Sequence, residues 1–279
     1  SLMDSLAEEI GADPLEFRRT NAAEEGDTLP LGMPLNRIGL TEMLGQIQKH
    51  PCWTTPLEGA NRGRGLALGY WIGGSFTSSA EIKINPDATA SIFVGTVDLT
   101  GTRTTILQMV ADELQLDPKE ITITVGDTDT APFADLSGGS RITYTMSAAA
   151  HQASQDVLSQ LRERAAEKLK VSIDDVEYKQ KRFWAKNDPQ NEVSLTDLAR
   201  ESVAWGSGPI IGKGSTTRMQ PAHSYAAHVA DVEIDPDTGK ATILRYTCFQ
   251  DVGKAINPQQ VEGQIQGGAV QGIGWALNE

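Results

Sequence analysis

The chain has 279 residues, 39% hydrophobic and 22% charged, with 27 glycines and 13 prolines spread along it; this is a globular composition with material for one large domain or two ordinary ones, and it excludes a disordered or fibrous protein. A formal charge of −13, from 24 basic and 37 acidic side chains, repels polyphosphate backbones and anionic lipid and argues against general nucleic-acid or membrane-surface binding. Two cysteines, Cys52 and Cys248, stand far apart without metal-like spacing, which argues against a disulfide scaffold, a zinc ribbon or an iron–sulfur cluster, and no apolar run reaches the ~18 residues of a membrane span.

In chain order, Asp4 to Asn21 reads as two short helices broken at Gly11, with Asp13-Pro14 supplying an N-cap and a first-turn proline for the second. Ala22 to Pro34 is a polar connector, and a helix is expected from Leu40 to Lys49. From Gly63 strands dominate. Ala80–Ile84 and Ala90–Val94 alternate apolar and polar residues around Asn85-Pro86-Asp87, which predicts a hairpin. A helix presenting Ile106, Met109, Val110 and Leu114 follows, then a strand at Ile121–Val125 and a long helix from Thr143 to Leu169. The second half predicts a strand pair from Tyr178 to Ala185, a short helix capped by Ser194 or Thr196, and a hairpin of Ala227–Ile234 with Ala241–Phe249. A terminal helix opens at Asn257-Pro258. The pattern implies an α+β fold of antiparallel β-hairpins with packed helices, in two βαβ-flavoured halves that resemble similar sub-lobes, rather than a doubly wound parallel sheet.

Three segments carry candidate chemistry. Gly95-Thr-Val-Asp-Leu-Thr-Gly-Thr-Arg-Thr-Thr105 joins a strand to a helix, so backbone N–H groups and hydroxyls meet at a helix start, which suits a phosphate. In the plain structural reading, Thr100 or Thr102 is simply an N-cap. Leu136-Ser-Gly-Gly-Ser-Arg-Ile-Thr143 repeats the theme: Gly138 and Gly139 permit close approach, Ser140 and Thr143 offer hydroxyls, and Arg141 is placed for a bidentate phosphate contact. Its structural reading is again a capped helix start, with Asp127 and Asp129 making turn hydrogen bonds.

The third segment is the terminal helix, where Gly263, Gly267, Gly268, Gly272 and Gly274 forgo roughly 5 kcal/mol of helix propensity relative to alanine. At 100° per residue Val261, Ile265, Ala269, Gly272 and Ala276 form an apolar stripe, and Gln264, Gly268, Gln271 and Trp275 form its neighbour. Glutamines beside missing side chains suit a closely approached polar ligand; close helix packing is the structural alternative. His223 and His228 would face opposite ways on a strand and make a poor metal pair, and His50 and His151 stand alone. Trp53, Trp71, Trp184, Trp205 and Trp275 are expected as packing residues.

These segments, with Val232-Glu-Ile-Asp-Pro-Asp-Thr-Gly239, Gln250-Asp-Val-Gly-Lys-Ala-Ile-Asn-Pro258 and Val261-Glu-Gly-Gln-Ile-Gln-Gly-Gly-Ala-Val-Gln-Gly272, resemble the molybdenum-cofactor subunit of the xanthine dehydrogenase, aldehyde oxidase and carbon monoxide dehydrogenase family over nearly the whole chain. The resemblance implies that residues 1–56 are a helical exit segment and connector from an upstream cofactor domain. It implies that residues 57–279 belong to a molybdopterin-binding domain that continues past Glu279. The implied cofactor is molybdopterin, in mononucleotide or cytosine dinucleotide form. Its contacts fall on Thr100, Gly101 and Thr102, on Gly139, Ser140, Arg141 and Thr143, and on Gln271 near the metal. Gly101 stands where the family usually has a glutamine, which leaves a backbone contact without the amide. No catalytic residue and no metal ligand is assigned, because the family's base is the glutamate of a Gly-Glu-Pro segment expected downstream of Glu279.

The implied activity belongs to a parent protein that oxidises aldehydes or N-heterocycles, with this piece inactive alone. The implied partners are the rest of the molybdenum subunit, iron–sulfur and FAD subunits or domains, and a small-molecule substrate. The two thiols fit a reduced cytoplasmic setting, with a periplasmic one left open. A rival reading is a cofactor-free binding or assembly module that keeps the fold, and a plainer one is an α+β domain whose glycine loops are only caps.

Overall fold

The computed structural model describes residues 2–30, 32–203, 206–217 and 219–279. In chain order the elements are α1 (Leu2–Glu9), α2 (Pro14–Thr20), α3 (Leu40–Lys49), α4 (Pro51–Thr54), β1 (Arg62–Trp71), β2 (Ser78–Ile84), β3 (Ala90–Val94), α5 (Thr102–Leu114) and β4 (Ile121–Val125). There follow α6 (Ile142–Leu169), β5 (Val176–Lys179), β6 (Arg182–Ala185), β7 (Asp188–Ser194), α7 (Leu195–Glu201), β8 (Ile210–Thr216), β9 (Ser224–Ile234), β10 (Ala241–Asp251) and α8 (Pro258–Leu277). The α+β class expected from the sequence is the class observed. The chain forms two compact units, one made of Ser1–Ile72 with His223–Glu279 and one of Gly73–Ala222. This division does not fall at residue 56, because β1 pairs with β9 across the intervening unit's sequence.

In the discontinuous unit, β1, β9 and β10 form an antiparallel sheet in the order β1-β9-β10. The opening segment expected as an exit piece packs here. Leu15, Leu35, Leu40, Leu44, Ile47 and Cys52 share a buried cluster with Leu66, Tyr225, Ala227 and Val229 of the sheet. Asp13 caps α2 by accepting from Leu15 and Glu16 N–H groups at 2.9 and 3.0 Å, as its sequence position predicted. Arg18, only 4% exposed, fastens α2 to β1 by donating to the Leu66 carbonyl at 2.9 Å. On β9, the buried Asp231 carboxylate bridges two arginines: Arg64 Nε at 2.7 Å and Arg245 Nη2 at 2.7 Å. The same guanidinium groups donate to the carbonyls of Pro51, Cys52, Trp53 and Thr55, so α4 is tied to the sheet through one acidic centre. Both arginines hold the Asp231 carboxyl below its ordinary range, Arg64 contributing most.

In the second unit, a four-stranded sheet in the order β4-β3-β2-β8 lies beneath α5 and α6. The pair β3 and β4 is parallel and is joined through α5, so one βαβ turn exists. The second βαβ-flavoured half expected from the sequence is absent among the described residues; in its place stand the antiparallel sheet β5-β6-β7 and the sheet of the other unit. The hairpins β2–β3 and β9–β10, read as possible repeats, lie in sheets with different neighbours.

Alternation explains the single covered face of the four-stranded sheet. Ile82, Ile84, Ile92, Val94, Ile121 and Ile123 are buried under the helices while Lys83, Phe93, Thr122 and Thr124 face outward. The helix α6 rests directly on β8 through small residues. A Cβ added at Gly214 would lie 2.0 Å from the Ala149 carbonyl oxygen, and one at Gly212 would lie 2.2 Å from that of Ala153. Because these clashes are with helix backbone, no side chain can move aside. Gly214→Ala is therefore expected to destabilise the chain by about 3 kcal/mol in urea unfolding; an unchanged midpoint would show that the helix does not sit on β8.

The tryptophans divide. Trp53 and Trp184 are half-buried, but Trp71 is 53% and Trp275 68% exposed, so these two are not the packing residues expected. Trp205 lies outside the described residues.

Candidate functional site

Because β3 and β4 are parallel neighbours, the loops that follow them leave the same edge of the sheet, and each runs into a helix. Residues 95–101 lead to α5 and residues 126–141 to α6. The N-terminal end of the antiparallel β2 reaches the same edge, with Ala80 opposite Val94 and Ser78 just beyond. The two loops touch at their roots: a Cβ on Gly95 would stand 2.1 Å from the Pro132 carbonyl oxygen. Thus the first two of the three predicted segments are brought to one edge of one unit, at the carboxyl ends of parallel strands, where open sheets tend to place ligands. The third, carrying Gln271, belongs to the other unit.

The start of α5 differs from the expected cap. The N-cap residue is Gly101, at φ +80°, and Thr100 is also left-handed at φ +55°. Neither Thr100 nor Thr102 supplies a side-chain cap; instead Asp98 Oδ1 accepts from the Arg103 N–H at 3.1 Å and from the Thr102 hydroxyl at 3.5 Å. Thr102 is buried, so its hydroxyl serves the loop. A carboxylate already stands at this helix start, where the helix dipole favours negative charge, and it opposes a phosphate placed at the same spot.

The start of α6 has no such occupant. Its N-cap residue, Arg141, makes no side-chain cap bond. Ser140 sits exposed in the left-handed region at φ +58°, immediately before it, with Gly139 at φ +66°. The loop is held shut from below. Gly74 N–H donates to the Gly139 carbonyl at 2.6 Å, and a Cβ on Gly74 would meet Arg141 Cβ at 2.9 Å and the Gly138 oxygen at 3.0 Å. A 28-residue helix thus opens with uncapped N–H groups beside an exposed hydroxyl, an arrangement suited to an anionic oxygen. Thr143, half-buried, lies in the first turn of the same helix.

Arg141 is the largest correction to the sequence reading. Its side chain is fully buried, and its guanidinium faces protein rather than solvent. Nε donates to the Leu136 carbonyl at 2.6 Å, Nη1 to the hydroxyls of Ser78 and Thr145 at 2.7 and 3.0 Å, and Nη2 to the Asp135 carbonyl. Both Nη1 hydrogens are therefore engaged within the loop and its foundations, so the bidentate phosphate grip expected from sequence is not the use this structure makes of the fork. Burial pulls the Arg141 pKa below its ordinary value, while the Asp135 carboxylate opposes the shift. Ser78, Thr145, Gly74 and Asp98 escaped the sequence reading; only the Gly73-Gly74 pair following a strand offered a signal.

In the other unit, Asn257 caps α8 by accepting from the Gln260 N–H at 3.1 Å, as Asn-Pro predicted. The expected apolar stripe is covered only over its first part, with Val261 and Ile265 half-buried and Ala269 buried, while Gly272 and Ala276 are exposed. Gln264, Gly268, Gln271 and Trp275 are exposed. Among the described residues nothing lies within 4 Å of a Cβ built at Gly263, Gly267, Gly268 or Gly272. Among the described residues, therefore, no close neighbour demands glycine at these four positions.

Comparison with known proteins gives the family of the chain. Residues 47–279 match the family model described as the molybdopterin cofactor-binding domain. The chain belongs to that molybdopterin-binding family, in its xanthine dehydrogenase and aldehyde oxidoreductase branch. It is 31% identical over its whole length to the 6-hydroxypseudooxynicotine dehydrogenase complex subunit gamma of Paenarthrobacter nicotinovorans, and 29% identical to the xanthine dehydrogenase molybdenum-binding subunit of Escherichia coli O157:H7. It spans 38% and 40% of those two relatives. Among solved structures, a reconstituted CO dehydrogenase from Oligotropha carboxidovorans superposes with a TM-score of 0.86 at 25% identity, covering 95% of this chain and 37% of that one. Molybdopterin is the cofactor of this family. The uncapped α6 start and the exposed Ser140 hydroxyl are donors of the kind its phosphate oxygens require. Among the described residues no cluster of three histidine, cysteine, aspartate or glutamate side chains offers a metal site, and no helix is long and apolar enough to cross a membrane.

Proposed function

We propose that this chain is the piece of a molybdenum hydroxylase that grips the phosphate end of the pterin cofactor, in a parent protein that oxidises aldehydes or N-heterocycles. The observation that carries the reading is the uncapped opening of α6, framed by Gly139 and Ser140 and rigidified from beneath by the buried Arg141. In this assignment Ser140 donates its hydroxyl to an anionic oxygen, Gly139 and Thr143 line the same turn, and Arg141 acts by shaping the loop. Thr100, Gly101 and Thr102 contribute from the neighbouring loop, through backbone rather than the amide other family members use. The carboxylate of Asp98 turns that helix start away from phosphate and toward the neutral, hydrogen-bonding part of the ligand.

Gln271 is assigned to the metal-proximal end of the cofactor, which the exposed glutamine and glycine face of α8 supports. The cytosine dinucleotide form gives the phosphate site the most to hold. Bound cofactor supplies the redox chemistry of hydroxylation; the chain's own residues bind and orient it, and the proton-accepting base is assigned outside residues 1–279. Iron–sulfur and FAD subunits or domains are the electron-accepting partners this reading requires. The relative named as a subunit of a dehydrogenase complex supports such partners.

Assayed in the complete subunit, Gln271→Ala is expected to lower kcat/KM for an aldehyde or N-heterocycle at least ~100-fold. Normal turnover by that variant removes Gln271 from the site. The rival reading, a cofactor-free assembly module, is separated by equilibrium dialysis against a pterin nucleotide. Binding by the complete subunit favours the cofactor assignment, and no binding favours the module.

A further inference from the structure

Away from the cofactor loops, the sheet of the discontinuous unit brings together three side chains that no sequence spacing connects. His228 of β9 pairs directly with Cys248 of β10, and Tyr246 lies two residues away on β10, on the same face. All three are half-buried on the sheet face opposite the Tyr225, Ala227 and Val229 core. His228 Nδ1 stands 3.3 Å from the Cys248 sulfur and 3.0 Å from the Tyr246 hydroxyl. The residue of β1 paired with His228 is Ala67, exposed and too small to cover the cluster.

We propose that His228, Cys248 and Tyr246 form a binding site for a single thiophilic d10 cation such as zinc or cadmium. The donor spacing supports this. With sulfur about 2.3 Å and nitrogen about 2.0–2.1 Å from a tetrahedral ion, the two ligand atoms stand roughly 3.5 Å apart, close to the separation already present between Cys248 and His228. Little rearrangement is needed, because both residues are fixed by cross-strand pairing on one sheet. Sulfur and imidazole nitrogen favour such an ion over magnesium or calcium, which prefer oxygen donors. The open side above Ala67 leaves a fourth position for water.

On binding, the Cys248 S–H bond breaks and its proton leaves to solvent as a sulfur–metal bond forms, while His228 Nδ1 and the Tyr246 hydroxyl oxygen, which keeps its proton, each give a lone pair; nothing is oxidised or reduced. The other thiol, Cys52, lies on α4, fully buried in the cluster between the helices and the sheet, and serves as the internal control.

The test is titration of the 279-residue chain with cadmium, followed by the ultraviolet thiolate-to-cadmium absorption and by calorimetry. One equivalent is expected to bind with the charge-transfer band. Cys248→Ser should abolish the band, His228→Gln and Tyr246→Phe should each weaken affinity ~10-fold or more, and Cys52→Ser should change neither. Circular dichroism checks that each variant is folded. Should a variant fail that check, cadmium protection of the wild-type Cys248 thiol from alkylation, read by peptide mass, decides instead. Binding that survives Cys248→Ser in a folded chain, a band lost with Cys52→Ser, or Cys248 alkylated equally fast with and without cadmium overturns the proposal.

Discussion

Replacing Arg141 by methionine is expected to destabilise the chain by about 3–5 kcal/mol and to leave the complete subunit without cofactor. The side chain is fully buried, and methionine fills a similar volume without donating a hydrogen bond. The carbonyls of Asp135 and Leu136 and the hydroxyls of Ser78 and Thr145 would each lose a donor. Ser78 and Thr145 are buried, and a buried acceptor that loses a donor costs more than the net value of the bond itself. Arg141→Lys should recover only part of the loss, since a single ammonium cannot span acceptors on both sides of the fork. Urea unfolding measures the stability, and pterin content measures the loop. A methionine variant of native stability would show that the guanidinium does not hold the loop.

The second large effect is expected at Asp231. Asp231→Ala removes the carboxylate between Arg64 and Arg245, leaving two guanidinium groups repelling each other and the anchoring of α4 weakened. Breaking a buried pair by removing one partner costs about 3 kcal/mol or more; Arg245, one-third exposed, recovers some hydration and keeps the loss near the lower figure. The sign of the pH dependence follows from the depressed carboxyl pKa. The unfolded chain ionises near the ordinary aspartate value of ~3.9, so this contribution is present in full above that pH. It is lost as pH falls through the lower folded-state value. The difference in unfolding free energy between wild type and Asp231→Asn should therefore be constant near neutrality and shrink below pH ~4. A difference that grows on acidification would contradict the bridge.

Elements with local signals were legible in the sequence. Asp13-Pro14 and Asn257-Pro258 announce α2 and α8, and Asn85-Pro86-Asp87 announces the β2–β3 hairpin, because capping and turn chemistry act within a few residues. Three strands gave no clear signal, each for a physical reason. The outward face of β1 is glycine and alanine, so the alternation that marks a strand is missing. The polar β7 runs Asp188-Pro-Gln-Asn-Glu-Val-Ser194 along a sheet edge, and only Val193 in it is buried. In β8 the glycines that blur the pattern are demanded by α6 lying on them, a contact with residues as far away in sequence as Ala149 and Val157. The candidate site divides in the same manner. Its two glycine loops were readable as helix starts, but the fate of Arg141 depended on Thr77 and Ser78, which only the fold brings beneath it. Asp98 displaced the expected threonine cap for a similar reason: Thr100 and Gly101 take up left-handed backbone, which carries the carboxylate over the start of α5.

Ser140→Gly isolates the phosphate-gripping role from stability. Glycine accepts the left-handed backbone of position 140 at no steric cost, so the fold is kept or slightly strengthened while one exposed hydroxyl disappears. The decisive measurement is the molybdenum and pterin content of the complete subunit carrying this substitution, set beside its melting temperature. A melting temperature at or above wild type with cofactor affinity reduced ~10-fold or more, the scale of one hydrogen bond to a charged group, is the predicted result. Full cofactor content at unchanged affinity would contradict the placement of the phosphate at the opening of α6.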